Sequence, residues 1–126
     1  MLKTRSKCDI ALLKVQLAAA DKDFRCSKPT NDECFYDLVI DSHKKIWRAQ
    51  VKYCNHVDKN NFQLRLDNKK SKRIFYSKSL IDIVLVYLSS KDVVLKYDQK
   101  LFHKKRRITI NVNDPKSEWH YLKFLW

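Results

Sequence analysis

The sequence predicts a single α/β domain carrying a mostly mixed β-sheet. Three observations lead there: one helical apolar repeat near the start, six later strand-like segments of which four show period-2 alternation, and no regular β-α crossovers between them. A helix followed by strands and a short helical tail suits an α+β or α/β architecture. At 126 residues and 44% hydrophobic content the chain can bury one core but not two, so no internal linker is expected.

Residues from about Ser6 to Lys22 read as the helix. Ile10, Leu13, Leu17 and Ala20 form one stripe, Ala11, Val15 and Ala18 widen it, and Ser6 or Asp9 is placed to cap its start. A loop through Pro29-Thr30-Asn31-Asp32 leads to two alternating segments, Tyr36–Asp41 and Trp47–Lys52, with Ser42-His43-Lys44-Lys45 between them as a hairpin turn. The polar stretch Asn55 to Asn61 ends the second strand, and Phe62–Leu66 alternates again. Ile81–Tyr87 and Val93–Tyr97, on either side of Ser89-Ser90-Lys91-Asp92, form a second hairpin whose first strand is apolar enough to be central. Ile108–Val112 is the last strand, and the tail from Pro115 places Trp119, Leu122, Leu125 and Trp126 near one helical face.

Counting outward from a turn centred between His43 and Lys44 sets the register of the first hairpin. Asp37 then lies opposite Gln50, Leu38 opposite Ala49 and Ile40 opposite Trp47, with Lys52 diagonal to Asp37. Tyr36, Leu38, Ile40, Trp47, Ala49 and Val51 share one face suited to a core, while Asp37, Arg48, Gln50 and Lys52 point the other way. A one-residue slip would bury the charged set. Acid, amide and amine are thereby gathered where they can hold a metal beside a phosphate.

A formal net charge of +13 points to a polyanionic partner, nucleic acid first. No segment is long enough to span a bilayer, and the apolar run Ile10 to Leu13 is stopped by Lys14 and Gln16 before it reaches the length of a signal peptide core. Cys8, Cys26, Cys34 and Cys54 contain no CxxC pair, which indicates reduced thiols in an intracellular protein and neither a zinc site nor a disulfide framework. The chain has no glycine, so backbone positions with positive φ fall to Asn or Asp, with Asp23, Asn55, Asn60, Asn61 and Asn68 available.

Asp37, twelve intervening residues, then Gln50-Val51-Lys52 resembles the core motif of the PD-(D/E)XK nucleases, with Tyr36 in the proline position and Gln50 in the acidic one. The likeness is wider than the motif. The leading helix, the YDLVID hairpin, RAQVK, the IDIVLVY strand with its KDVVLKY return and the final ITINV strand are together similar to group I intron-encoded homing endonucleases of this superfamily, over roughly residues 8 to 112. The resemblance implies a restriction-endonuclease-like core with a mixed sheet flanked by helices, in one nuclease domain over residues 1–126. It implies a site-specific, homing-type endonuclease that hydrolyses double-stranded DNA with Mg2+ or Mn2+. Asp37 would be the anionic metal ligand, Gln50 and Val51 would add an amide and a main-chain oxygen, and Lys52 would hold the attacking water and neutralise the phosphate.

Two departures bear on that expectation. Relatives commonly carry a glutamate on the first helix that completes metal coordination, and alignment puts Leu12 there. Cys8 and Asp23 stand where such proteins often have glycine. Asp37 is then the one coordinating carboxylate unless Asp9, a turn earlier on the same side, reaches in. The expected result is a fold that binds DNA with catalysis reduced or absent.

The residues also carry plainer readings. Asp37, Gln50 and Lys52 form the solvated face of an amphipathic hairpin if no site is present, and Asp41 caps the turn. Arg48 is either a strand-surface charge or a phosphate contact. Lys44, Lys45, Lys69, Lys70, Lys72, Arg73, Lys104, Lys105, Arg106 and Arg107 are candidate phosphate contacts, with solvated basic loops as the alternative. Residues 115–126 either cap the domain or join a second subunit of a dimer or tetramer. By resemblance the protein works inside the cell, in the cytoplasm, nucleoid or an organelle carrying the intron. A non-catalytic basic DNA- or RNA-binding protein is the alternative function.

Overall fold

The structure is a computed structural model describing residues 3–31, 34–55, 61–65, 80–98 and 107–111. It contains α1 (Thr4–Asp21), β1 (Arg25–Ser27), β2 (Leu38–Asp41), β3 (Ile46–Cys54), β4 (Asn61–Arg65), β5 (Ile83–Leu88), β6 (Val93–Asp98) and β7 (Arg107–Asn111). Five strands form a sheet in the order β1-β2-β3-β5-β6, in which β3 and β5 run parallel and the other neighbours antiparallel. The mixed sheet expected from the sequence is therefore present, with one described helix packed on one face. Strands β4 and β7 pair antiparallel in a second, two-stranded sheet. The tail 115–126 lies outside the described residues.

The helix keeps its place but presents a different side. Ala11, Val15 and Ala19 are buried, whereas Leu13 and Leu17, expected on the inward stripe, are 64% and 58% exposed. The small alanines bring the helix backbone close to the sheet, with Val15 filling the space between them, and the bulkier leucines would hold it off. Ser6 and Asp9 are inside the helix and cap nothing; Lys3 precedes the first turn and makes no side-chain cap. At the other end Asp23 takes φ 60°, its N–H donating to Ala20 O at 2.9 Å while Phe24 N–H donates to Ala19 O at 3.0 Å. These two bonds make a Schellman stop with Asp in the place usually held by glycine.

The other left-handed residues are His43 (φ 70°) and Asp92 (φ 50°). His43 is a surprise at such a position, and it is held twice: its N–H donates to Asp41 Oδ1 at 2.8 Å and its Nε2 lies 2.7 Å from Asp23 O. Asp41 thus caps the hairpin turn, as its position suggested. Ser42 Oγ closes the same turn, donating to Lys45 O at 2.9 Å. Asp92 closes the β5–β6 turn and accepts the Tyr87 hydroxyl at 2.6 Å and a Lys14 ion pair at 2.9 Å.

Both faces of the sheet are apolar at its centre. Val15, Leu38, Ile40, Ala49, Ile83 and Leu85 form the core under α1, with Leu12, Trp47 and Val51 packed around it. Ile81, Val84, Val86, Leu88, Leu95 and Tyr97 form a second cluster on the opposite face. All six residues of β5 are buried, which confirms it as a central strand. Tyr36, expected beside Leu38, packs instead against the second cluster because it precedes β2 and escapes the strand alternation. The four cysteines are free, and burial pushes the Cys54 thiol up to about 11.

Candidate functional site

The hairpin register is the counted one: Leu38 pairs Ala49 and Ile40 pairs Trp47. Just before β2, Asp37 N–H donates to Ala49 O at 2.8 Å, the residue already paired with Leu38, so the paired register ends at Leu38 and does not itself extend to the expected Asp37–Gln50 pair. There the main-chain ladder stops and a side chain continues it. Asp37 Oδ2 accepts the Val51 N–H at 2.9 Å, so the carboxylate is drawn along the edge of β3 toward Val51. Since the N–H and C=O of an extended residue point to the same side, the Val51 carbonyl faces that edge too.

Asp37, Gln50 and Lys52 are all half-buried. Gln50 and Lys52 stand beside Val84 and Val86 of β5, which are fully buried, so this is not the solvated face of an isolated hairpin. Burial pushes the Asp37 carboxyl above the usual carboxylate range, against the opposing pull of the Val51 N–H and the Lys52 charge. A half-buried carboxylate whose charge is incompletely compensated favours a cation.

Asp37 also lines an open pocket of about 220 Å³, together with Leu12, Lys28, Pro29, Asn31, Cys34 and Tyr36. Leu12 therefore faces the same space as Asp37. Asp9 is exposed and does not line this pocket. Among the described residues no three His, Cys, Asp or Glu side chains cluster as a metal site. What is present is one carboxylate with the Gln50 amide and the Val51 carbonyl on neighbouring positions, a hard-oxygen set that fits Mg2+ or Mn2+ with less charge than a pair of carboxylates would give.

Arg48 is engaged by a residue that sequence reasoning passed over. Its Nε donates to Asp82 Oδ2 at 3.1 Å, its Nη2 to Oδ1 at 3.1 Å, and its backbone N–H to Oδ2 at 2.8 Å. Burial would raise the Asp82 carboxyl, but the Arg48 hydrogen bonds and charge hold it below the usual range. The signal for this pair was the register Ala49↔Ile83, which extends to 48 and 82, yet the parallel pairing of β3 with β5 is not readable from two distant segments. Lys28, on the pocket wall with Tyr36, was likewise not singled out. Lys44 and Lys45 are exposed on the hairpin, and Lys45 lies over the Trp47 ring at 5.9 Å. Arg107 is exposed at the start of β7; Lys69, Lys70, Lys72, Arg73, Lys104, Lys105 and Arg106 lie outside the described residues.

A family model of PD-(D/E)XK endonucleases matches residues 2–122. The fold is similar to that of a bacterial homing endonuclease, I-Ssp6803I, with a TM-score of 0.73 and 20% identity over 96% of this chain and 91% of that one. It is also similar to Hjc, a Holliday junction resolvase from the archaeal hyperthermophile Archaeoglobus fulgidus, with a TM-score of 0.54 and 12% identity over 83% of this chain and 84% of that one. At these identities the likeness is one of fold. No match was found among curated protein sequences.

Proposed function

The chain belongs to the PD-(D/E)XK endonuclease family, and from that premise we propose that it is a divalent-metal-dependent endonuclease of the homing type, acting at specific sites in double-stranded DNA. The observation that carries this reading is the Asp37 carboxylate, half-buried, incompletely compensated, bonded to the Val51 N–H and within the field of Lys52. Asp37, the Gln50 amide oxygen and the Val51 carbonyl would hold Mg2+ or Mn2+. The cation, when bound, offsets the negative charge that builds on the phosphodiester during hydrolysis. Lys52 donates to the attacking water, orients it and balances the phosphate charge.

Leu12 in the pocket wall leaves the site one carboxylate short, and on this reading cleavage by the chain is weak. DNA association draws on the net charge of +13, and affinity falls steeply with added salt as counterions are released. We read residues 1–126 as one nuclease domain that works inside the cell as a homo-oligomer, a dimer or tetramer, because a homing site is long compared with one domain of this size. Among the described residues no helix is long and apolar enough to cross a membrane.

The test is incubation of a diverse pool of long DNA with this chain and with Leu12→Glu, each with magnesium or with chelator, followed by sequencing of new ends. Defined ends at a much higher yield from Leu12→Glu, lost with chelator, are the expected result. Ends from neither protein would favour the second reading, a non-catalytic DNA- or RNA-binding protein, for which the apolar Leu12 in the pocket is the specific observation.

A further inference from the structure

Arg48 pairs Val39, two residues on from Asp37, and the Lys52 charge acts on Asp37, so two basic side chains, not one, belong to the neighbourhood of that carboxylate. Diagonal neighbours in a sheet are about 7–8 Å apart, within the reach of an arginine. A guanidinium that swung onto Asp37 would bind it with two parallel hydrogen bonds and occupy the oxygens a cation needs. The groups that act on Asp37 are nevertheless the Val51 N–H and Lys52.

Asp82 accounts for the difference. Besides accepting three hydrogen bonds from Arg48, it donates its own N–H to Arg48 O at 2.9 Å. Both main-chain groups of Arg48 therefore face β5, and the guanidinium meets the Asp82 carboxylate there. The carboxylate takes the Arg48 N–H at the mouth of the parallel β3–β5 ladder, where it stands in for a main-chain carbonyl. Its hold on Arg48 is thus built from backbone and side chain together and does not depend on one flexible contact.

We propose that Asp82 is a positioning residue of the site, keeping the Arg48 guanidinium off Asp37 and so leaving that carboxylate open to a divalent cation. The role rests on the functional reading above, since it matters only if Asp37 receives a metal. It assigns Arg48 to the internal order of the site and away from a free phosphate contact.

Mn2+ alone is the probe, its binding followed by the loss of the free-ion electron paramagnetic resonance signal for the full chain and its variants. Asp82→Asn, which keeps an oxygen for the Arg48 N–H, is expected to weaken Mn2+ binding about tenfold. Adding Arg48→Gln to it should restore binding, and Arg48→Gln by itself should leave binding unchanged. That asymmetry separates positioning from simple charge: equal and opposite changes from the two single variants would mean long-range electrostatics only and would overturn the proposal, as would unchanged binding in Asp82→Asn. If no protein in the set binds Mn2+, the functional reading fails and the proposal falls with it.

Should Asp82→Asn not fold, the wild-type chain still supplies the test through the Arg48 Nε–H resonance. Slow exchange that is indifferent to Asp37→Asn is expected, whereas exchange accelerated by Asp37→Asn would show Arg48 shared between the two carboxylates and overturn the proposal.

Discussion

Strand β3 is bordered by a carboxylate on each side, Asp37 at the β2 edge and Asp82 at the β5 edge, and each accepts a β3 backbone N–H. Beyond that shared bond they differ. Asp82 holds a whole guanidinium and is kept below the usual carboxylate range in spite of its burial. Asp37 has one N–H and the field of Lys52, and burial prevails, leaving it above that range. The β5 side is locked by a completed ion pair, while the β2 side carries charge that the fold itself does not satisfy. Residual charge of that kind is a cost to folding that a bound cation can offset, and on the proposed function it marks Asp37 as the metal ligand and Asp82 as the structural carboxylate.

The widest separation is expected in activity. In the Leu12→Glu background, Asp37→Asn should lower magnesium-dependent cleavage about 10³-fold, read from the rate of end formation. Its melting temperature should hold or rise, because an asparagine oxygen still accepts the Val51 N–H without a charge to bury. A clear fall in stability would erase the distinction between the two sides.

Next comes stability. Asp82→Ala should cost about 2 kcal/mol by urea denaturation, less than a fully buried pair because the Arg48 side chain is 35% exposed. Acid titration sharpens the contrast through opposite signs. Asp82 is depressed, so its contribution is present above the unfolded carboxylate pKa and disappears as pH falls through the folded value. Asp37 is raised, so its ionisation destabilises the fold as pH rises from the unfolded value through the folded one. Relative to wild type, any gain of Asp37→Asn should therefore vanish as pH falls to about 4, whereas the deficit of Asp82→Ala should persist there and shrink only at lower pH, as the depressed carboxyl is protonated, measured by thermal melts across pH.

A smaller effect is expected from the pocket wall. Leu12→Glu should raise magnesium-dependent cleavage about tenfold and lower the melting temperature in chelator, where a second carboxylate meets Asp37 without a cation between them. The smallest belongs to the exposed Lys14–Asp92 pair: Asp92→Asn should leave the melting temperature unchanged, since asparagine keeps the left-handed backbone and surface pairs contribute little.

Local pattern made much of this molecule legible. The register Leu38↔Ala49 and Ile40↔Trp47 follows from a short turn and a period-2 repeat, which also bring Asp37 to Val51 at the end of the ladder. Segment order and the Asp37–Lys52 spacing were enough to indicate the family. β1 was not legible, because Arg25–Ser27 is three residues long and carries no alternation. The inward side of α1 was misjudged because residue size suggested Leu13 and Leu17, whereas close approach to a sheet selects Ala11, Val15 and Ala19.

By itself the sequence determined those features whose causes lie within a few residues: helix and strand periods, the hairpin register and the order of acid, amide and amine. Tertiary structure alone decided the parallel pairing of β3 with β5, the second apolar cluster behind Gln50 and Lys52, and the choice of Asp82 as partner for Arg48. These rest on contacts between segments more than twenty-five residues apart, where no turn fixes the alignment and only the packed sheet shows which charge is satisfied and which is left for a ligand.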